Sequence, residues 1–219
     1  GHLALRVLDR VGCKDAECTT VGFATILLKF REETFAQLAG PLAEAGTSGL
    51  DRGDVIYGTF CCSQSCQMHQ LMGTNLATLE AYMRAKYDLV CDLSQEGMIM
   101  WLQYGLQSVI NMRSNVSDWS NIAVLTGEIM NERNFLNDVT VANHPVVTVG
   151  CLIAKAQTAC YFDQYSYAAD IYREVETMDL DAMRFSFAAP YYWWNAARTF
   201  YSLHEMSGKR RDLWRARKY

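Results

Sequence analysis

Cys62, Cys66 and His69 fall at i, i+4 and i+7, a spacing that puts two thiols and an imidazole on one face of a helix. Such a face could offer soft ligands to a zinc-like cation, with Cys91 as a fourth donor across a hairpin. The competing reading is packing. Buried cysteine behaves as a small hydrophobe, and structural zinc sites place their ligands on tight turns. Packing is the reading adopted, so no metal or cofactor is assigned to the chain.

The densest aromatic run is Pro190-Tyr191-Tyr192-Trp193-Trp194-Asn195, followed by Arg198 and Tyr201. Rings beside a guanidinium can hold a peptide or stack on a base. Four successive aromatics point around most of a helix, so part of the run must be core. The reading places Tyr192, Trp193 and Trp194 mainly inside and Arg198 with Tyr201 outside. The partner-binding candidates are Arg198, Tyr201 and Trp194, the last if its ring proves to be at the surface.

Other constellations fail on chemistry. His2, His69, His144 and His204 are too scattered to pair with a nucleophile, and no GxSxG, HExxH or kinase catalytic-loop pattern occurs. The stretch from Gly40 to Ser48 has the glycines of a phosphate-binding loop but places Thr47 directly after Gly46, where a Lys is required. Glu174 and Glu176 project in different directions on a helix and read as a solvated face. No catalytic residue is assigned, and the segment reads as non-enzymatic.

Half of the 219 residues are hydrophobic, enough for a substantial core. The net charge of −4 hides a basic end, where Lys209, Arg210, Arg211, Arg215, Arg217 and Lys218 face Asp212 alone. An acidic body with a basic end excludes the broad positive face of a nucleic-acid binder, and the basic end reads as a solvated helix. No apolar run is long enough to span a bilayer. Eight cysteines, three of them within one predicted helix, read as reduced thiols of a cytoplasmic protein. Both termini stop inside amphipathic patterns and read as cut from a longer chain.

Only three prolines occur, and sustained two-residue alternation is almost absent, so the pattern is helical. Helices are predicted over 3–10 and 15–30, with a break at Gly12, and over 34–50, where Pro41 must kink the helix or start a new one. Asp54 and Thr74 or Asn75 can cap two segments running to Met72 and Leu93, which pair as a hairpin. Gly58 and Cys62 are small enough to admit the partner helix. A helix over 95–112 follows. Ser114, Asn115, Ser117, Asn121, Asn131, Asn134, Asn137 and Asn143 break the pattern, so 113–143 reads as an irregular connection. Pro145 opens a second hairpin that runs to Phe162 and returns over 166–178, and 185–206 and 209–219 supply a last pair.

In the second hairpin Leu152, Ala156, Ala159, Ala168 and Tyr172 occupy positions like those of a tetratricopeptide repeat, although Val175 stands where a small residue is commoner. Further along the chain, Leu3 to Arg10, Pro41 to Ala45, Gly49 to Tyr57, Tyr161 to Tyr165, and Lys209 to Leu213 leading into Ala216 to Tyr219 resemble the helical-repeat region of large multidomain signalling proteins. Those join an AAA-type ATPase to serine/threonine and histidine kinase modules. The resemblance implies an all-α fold of antiparallel helical hairpins stacked as a right-handed superhelix, one array over 1–219. It further implies an interaction and coupling segment whose partners are neighbouring domains of the parent chain or other proteins. The rival readings are a free-standing adaptor that binds a peptide in its groove and, more distantly, a metal-sensing helical domain.

Overall fold

The structure is a computed structural model that describes residues 2–114, 119–141, 144–178, 180, 184 and 186–219. Gly1, Asn115, Ser117, Asn143, Asp179 and Phe185, to which the sequence reading extends, lie outside the described residues. Helix boundaries follow local chemistry. Thr34 accepts from the Gln37 N–H while the Gln37 side chain accepts from the Thr34 N–H, a reciprocal capping box at the start of one helix. Asp54 accepts from Tyr57 N–H, and Asn75 accepts from Ala77 and Thr78 N–H, so the predicted caps of the first hairpin form. Pro145 occupies the first turn of its helix, and Gly208, with φ of 67°, ends another in the left-handed region that suits glycine.

The described residues form eleven α-helices and no strand. They are α1 (His2–Val11), α2 (Glu17–Leu27), α3 (Phe35–Asp51), α4 (Val55–Leu71), α5 (Leu76–Asp92), α6 (Glu96–Arg113), α7 (Glu132–Val141), α8 (Pro145–Tyr161), α9 (Tyr165–Val175), α10 (Ala188–Ser207) and α11 (Arg210–Ala216). Short 3₁₀ turns at Lys14–Ala16 and Lys29–Arg31 flank α2, which is why it is shorter than its apolar pattern. Packing divides the chain into two compact units, Gly1–Leu106 and Gln107–Tyr219. None of the helices is long and apolar enough to cross a membrane, among the described residues.

In the first unit the closest helix pair is α3 with α4, not the capped α4–α5 hairpin. The reason is a notch of small residues. A Cβ on Gly46 would stand 3.1 Å from the Gly58 carbonyl oxygen and 3.0 Å from Cys62 Sγ, and one on Gly58 would stand 2.8 Å from the Leu50 side chain. Gly58 and Cys62 thus admit α3 rather than the return helix α5. Pro41 lies inside α3, and the helix runs through it to Asp51 without a break.

In the second unit α8 and α9 form the predicted second hairpin. Ala156, Ala159, Ala168, Ala169, Tyr172 and Val175 are all completely buried, so small side chains on facing turns let Tyr172 and Val175 fill the space between. The expected irregular stretch contains a helix, since α7 occupies Glu132–Val141. Asn131 explains its start: its side chain accepts from the Asn134 N–H, so an asparagine that interrupts an apolar pattern serves as a cap. Residues 119–131 remain turns and bends, held because Asn111 donates to the carbonyls of Ile122 and Val124 at 2.9 and 2.8 Å.

Candidate partner-binding surface

α10 sorts its residues at helical spacing. Ala189, Tyr192, Asn195, Ala196, Thr199, Phe200 and Leu203 face inward and are buried. Tyr192 meets Tyr172 edge-on with ring centroids 5.7 Å apart, and Phe200 stacks on Tyr219 at 6.0 Å. With that face fixed, geometry leaves no room inside for the neighbouring tryptophans. Trp193 is 40% exposed and Trp194 58%, which corrects the expectation that both are core. Tyr192 alone of the three is buried, because only its position falls on the inward stripe.

Trp194, Arg198 and Tyr201 stand at i, i+4 and i+7 on the outward face. The Arg198 guanidinium carbon lies 5.8 Å from the Trp194 ring centroid, a cation–π contact that holds the indole against the helix. Tyr201 is half exposed. At the helix start, the hydroxyls of Tyr191 and Tyr161 lie 2.5 Å apart, and burial together with this contact pushes Tyr191 well above the usual phenol range. A rigid helix therefore displays indoles, a phenol and a guanidinium, the side chains that most often anchor protein interfaces.

The surface is backed by the chain's end. Glu176, expected on a solvated face, accepts from the Tyr219 hydroxyl and from Arg215 at 3.2 Å, and it lies 3.6 Å from Lys218 Nζ. Arg173 and Arg215 each place a guanidinium 5.4 Å from the Phe200 ring centroid. The basic end is thus partly folded back onto α9 and α10, where Glu176 and the Phe200 ring meet its cations. Glu174 does remain exposed.

The other sequence candidates lie elsewhere. Cys62 and Cys66 are completely buried, and burial pushes the Cys66 thiol up to about 12. His69 turns to Tyr82, with ring centroids 4.7 Å apart, and its Nδ1 lies 3.4 Å from Thr74 Oγ1. No group of three or more His, Cys, Asp or Glu side chains able to hold a metal occurs among the described residues. A cleft of about 530 Å³ opens where residues 120–124 meet the start of α9. Its one carboxylate, Asp163, accepts from the Tyr165 hydroxyl at 2.7 Å, and Gln164 donates to the Trp119 carbonyl, so both are already committed to structure. Sequence reasoning could have placed the tryptophans outside by aligning Ala189, Tyr192, Ala196, Phe200 and Leu203 as the buried stripe. Compared with protein-family models, curated proteins and solved structures, the chain matches none.

Proposed function

We propose that this chain is a non-catalytic interaction segment, built on stacked helical hairpins, that holds a protein partner against the outer face of α10. The observation that carries the reading is the exposure of Trp194 beside Arg198, with Tyr201 one turn further on. Two indoles left in water on one turn of an otherwise well-sorted helix gain most when a partner covers them, and such an anchor is worth about 2 kcal/mol or more. The partner is a neighbouring domain of a larger ATPase and kinase-type signalling protein, as the sequence resemblance implies, and the hairpins continue the right-handed superhelical stacking of that repeat region. The free thiols, most of them buried, suit a cytoplasmic setting. A free-standing adaptor is the second reading. It is favoured by the tryptophans themselves, because indoles anchor a short peptide as readily as a domain.

Trp194→Ala together with Arg198→Ala tests the proposal. Thermal unfolding should change by less than about 0.5 kcal/mol, as for exposed side chains generally, while capture of the partner from the full-length protein is lost. Unchanged capture would remove α10 from the interface. ATP turnover that survives rigorous purification would overturn the non-enzymatic assignment.

A further inference from the structure

The Sγ atoms of Cys18, in the first turn of α2, and Cys61, in the middle of α4, lie 3.5 Å apart, and the Cys61 thiol donates to the Cys18 carbonyl oxygen at 3.5 Å. The two residues are 43 positions apart, so tertiary packing alone brings them together. Around them the helices present glycine. A Cβ on Gly22 would stand 3.0 Å from Cys61 Sγ, and one on Gly49 would stand 2.8 Å from Cys18 Sγ. Glycine at these two positions lets the backbones of α2 and α3 close on the sulfurs, which need only turn from contact to the bond length of about 2.05 Å.

We propose that Cys18 and Cys61 are a peroxide-oxidisable thiol pair that closes to a disulfide and locks α2 onto α4. The Cys18 thiolate attacks hydrogen peroxide. An S–O bond forms, the O–O bond breaks, and the departing hydroxide takes the proton released by the Cys18 thiol, leaving water and a sulfenic acid. The Cys61 sulfur then attacks the Cys18 sulfur. The S–S bond forms, the S–O bond breaks, and hydroxide leaves with the Cys61 proton as a second water. Peroxide gains two electrons and each sulfur gives one.

The order of the steps follows from the surroundings. The contact with the Cys61 side chain holds the Cys18 thiol below the ordinary range, and Arg52 adds to this against burial and against Asp54 and Glu17. Cys61 is pushed far up by the same contact and by its own burial, so it keeps its proton until the second step. Access is through the start of α2. The 3₁₀ turn Lys14–Ala16 that leads into Cys18 buries none of its residues and is tied down by Arg52, which donates to the Lys14 carbonyl at 3.2 Å and to Glu17 at 2.9 Å. Cys18 itself is only 2% exposed, so peroxide reaches it when that turn opens. The bond then joins α2 covalently to α4, and a thiol reductant opens it again.

The whole chain treated with hydrogen peroxide, alkylated and digested without reduction should yield one cross-linked peptide joining Cys18 to Cys61, lighter than its two parts by two hydrogens and absent after dithiothreitol. Amide exchange should slow in α2. Cys61→Ser should stop at the sulfenic acid, trapped on Cys18 by dimedone, and Cys13→Ser should leave the cross-link intact. If Cys18 and Cys61 are both recovered as free thiols once exposed Cys13 has been consumed, the proposal fails. It also fails if Cys18 is recovered joined to Cys13 or Cys62. Should Cys61→Ser not fold, the peptide map of the unsubstituted chain decides alone.

Discussion

Lys155 Nζ donates to the Glu132 carboxylate over 2.6 Å, joining the middle of α8 to the first turn of α7. Burial alone would push the Lys155 ammonium down, and the Glu132 hydrogen bond and charge more than reverse it, so Lys155 is held charged. The other Glu132 oxygen accepts from Leu125 N–H at 2.8 Å, and the Lys155 ammonium also lies 5.8 Å from the Tyr167 ring centroid. One carboxylate thus fixes α7, α8 and the turns before them.

Replacing Glu132 with Ala should therefore destabilise the second unit by about 3 to 5 kcal/mol, because Lys155, only 7% exposed, is left without its counter-charge. Urea unfolding measures it. Glu132→Ala with Lys155→Met should recover part of the loss, and a double-variant loss equal to the sum of the two single losses would show that the pair does not couple.

The α3–α4 notch gives a signed comparison between two glycines in helices. Gly46→Ala should cost about 1 to 3 kcal/mol, since its Cβ would stand 3.1 and 3.2 Å from backbone atoms of Gly58 and Cys62, which cannot rotate away. Gly97→Ala, with nothing within 4 Å, should stabilise by about 0.5 to 1 kcal/mol through reduced freedom of the unfolded chain. Melting curves that move in the same direction for both would contradict the close approach.

In the second hairpin, Ala168→Leu should cost about 1 to 3 kcal/mol, because Ala168 is completely buried between α8 and α9. Glu174→Gln is the surface control. Glu176→Gln is not, since it weakens the attachment of Arg215, Lys218 and Tyr219, and limited proteolysis should then release the C-terminal residues first.

Alkali should unfold the protein early. Burial raises Cys66 and Cys151 to about 12, so in the folded state both keep protons that the unfolded chain gives up near pH 8.5. A raised folded value means stability that is complete below the unfolded value and lost as pH rises toward the folded one. Each thiol should remove about 1.4 kcal/mol per pH unit over that window. Tyr172, Tyr191, Tyr192 and Tyr219, all raised chiefly by burial, add the same sign above about pH 10. Denaturation midpoints between pH 8 and 11 test this, and Cys66→Ala should flatten the first part of the decline.

What the sequence by itself determined is local: that the chain is helical, where Thr34, Asp54, Asn75 and Pro145 start helices, and that Ala156 and Ala168 mark a close-packed hairpin. These rest on backbone groups within a few residues of each other and on a period that any observer of the chain can count. Tertiary structure decided the rest. Gly58 is a notch whichever helix fills it, and only the fold shows that α3 does. Asn131 reads as an interruption until a helix exists for it to cap. Trp194 has the composition of a core residue, and its exposure follows from which stripe of α10 the α9 side chains claim. Cys18 and Cys61 lie 43 residues apart, so no spacing rule joins them. Their contact exists because the glycines of neighbouring helices let three backbones converge, a property of the assembled unit rather than of any segment.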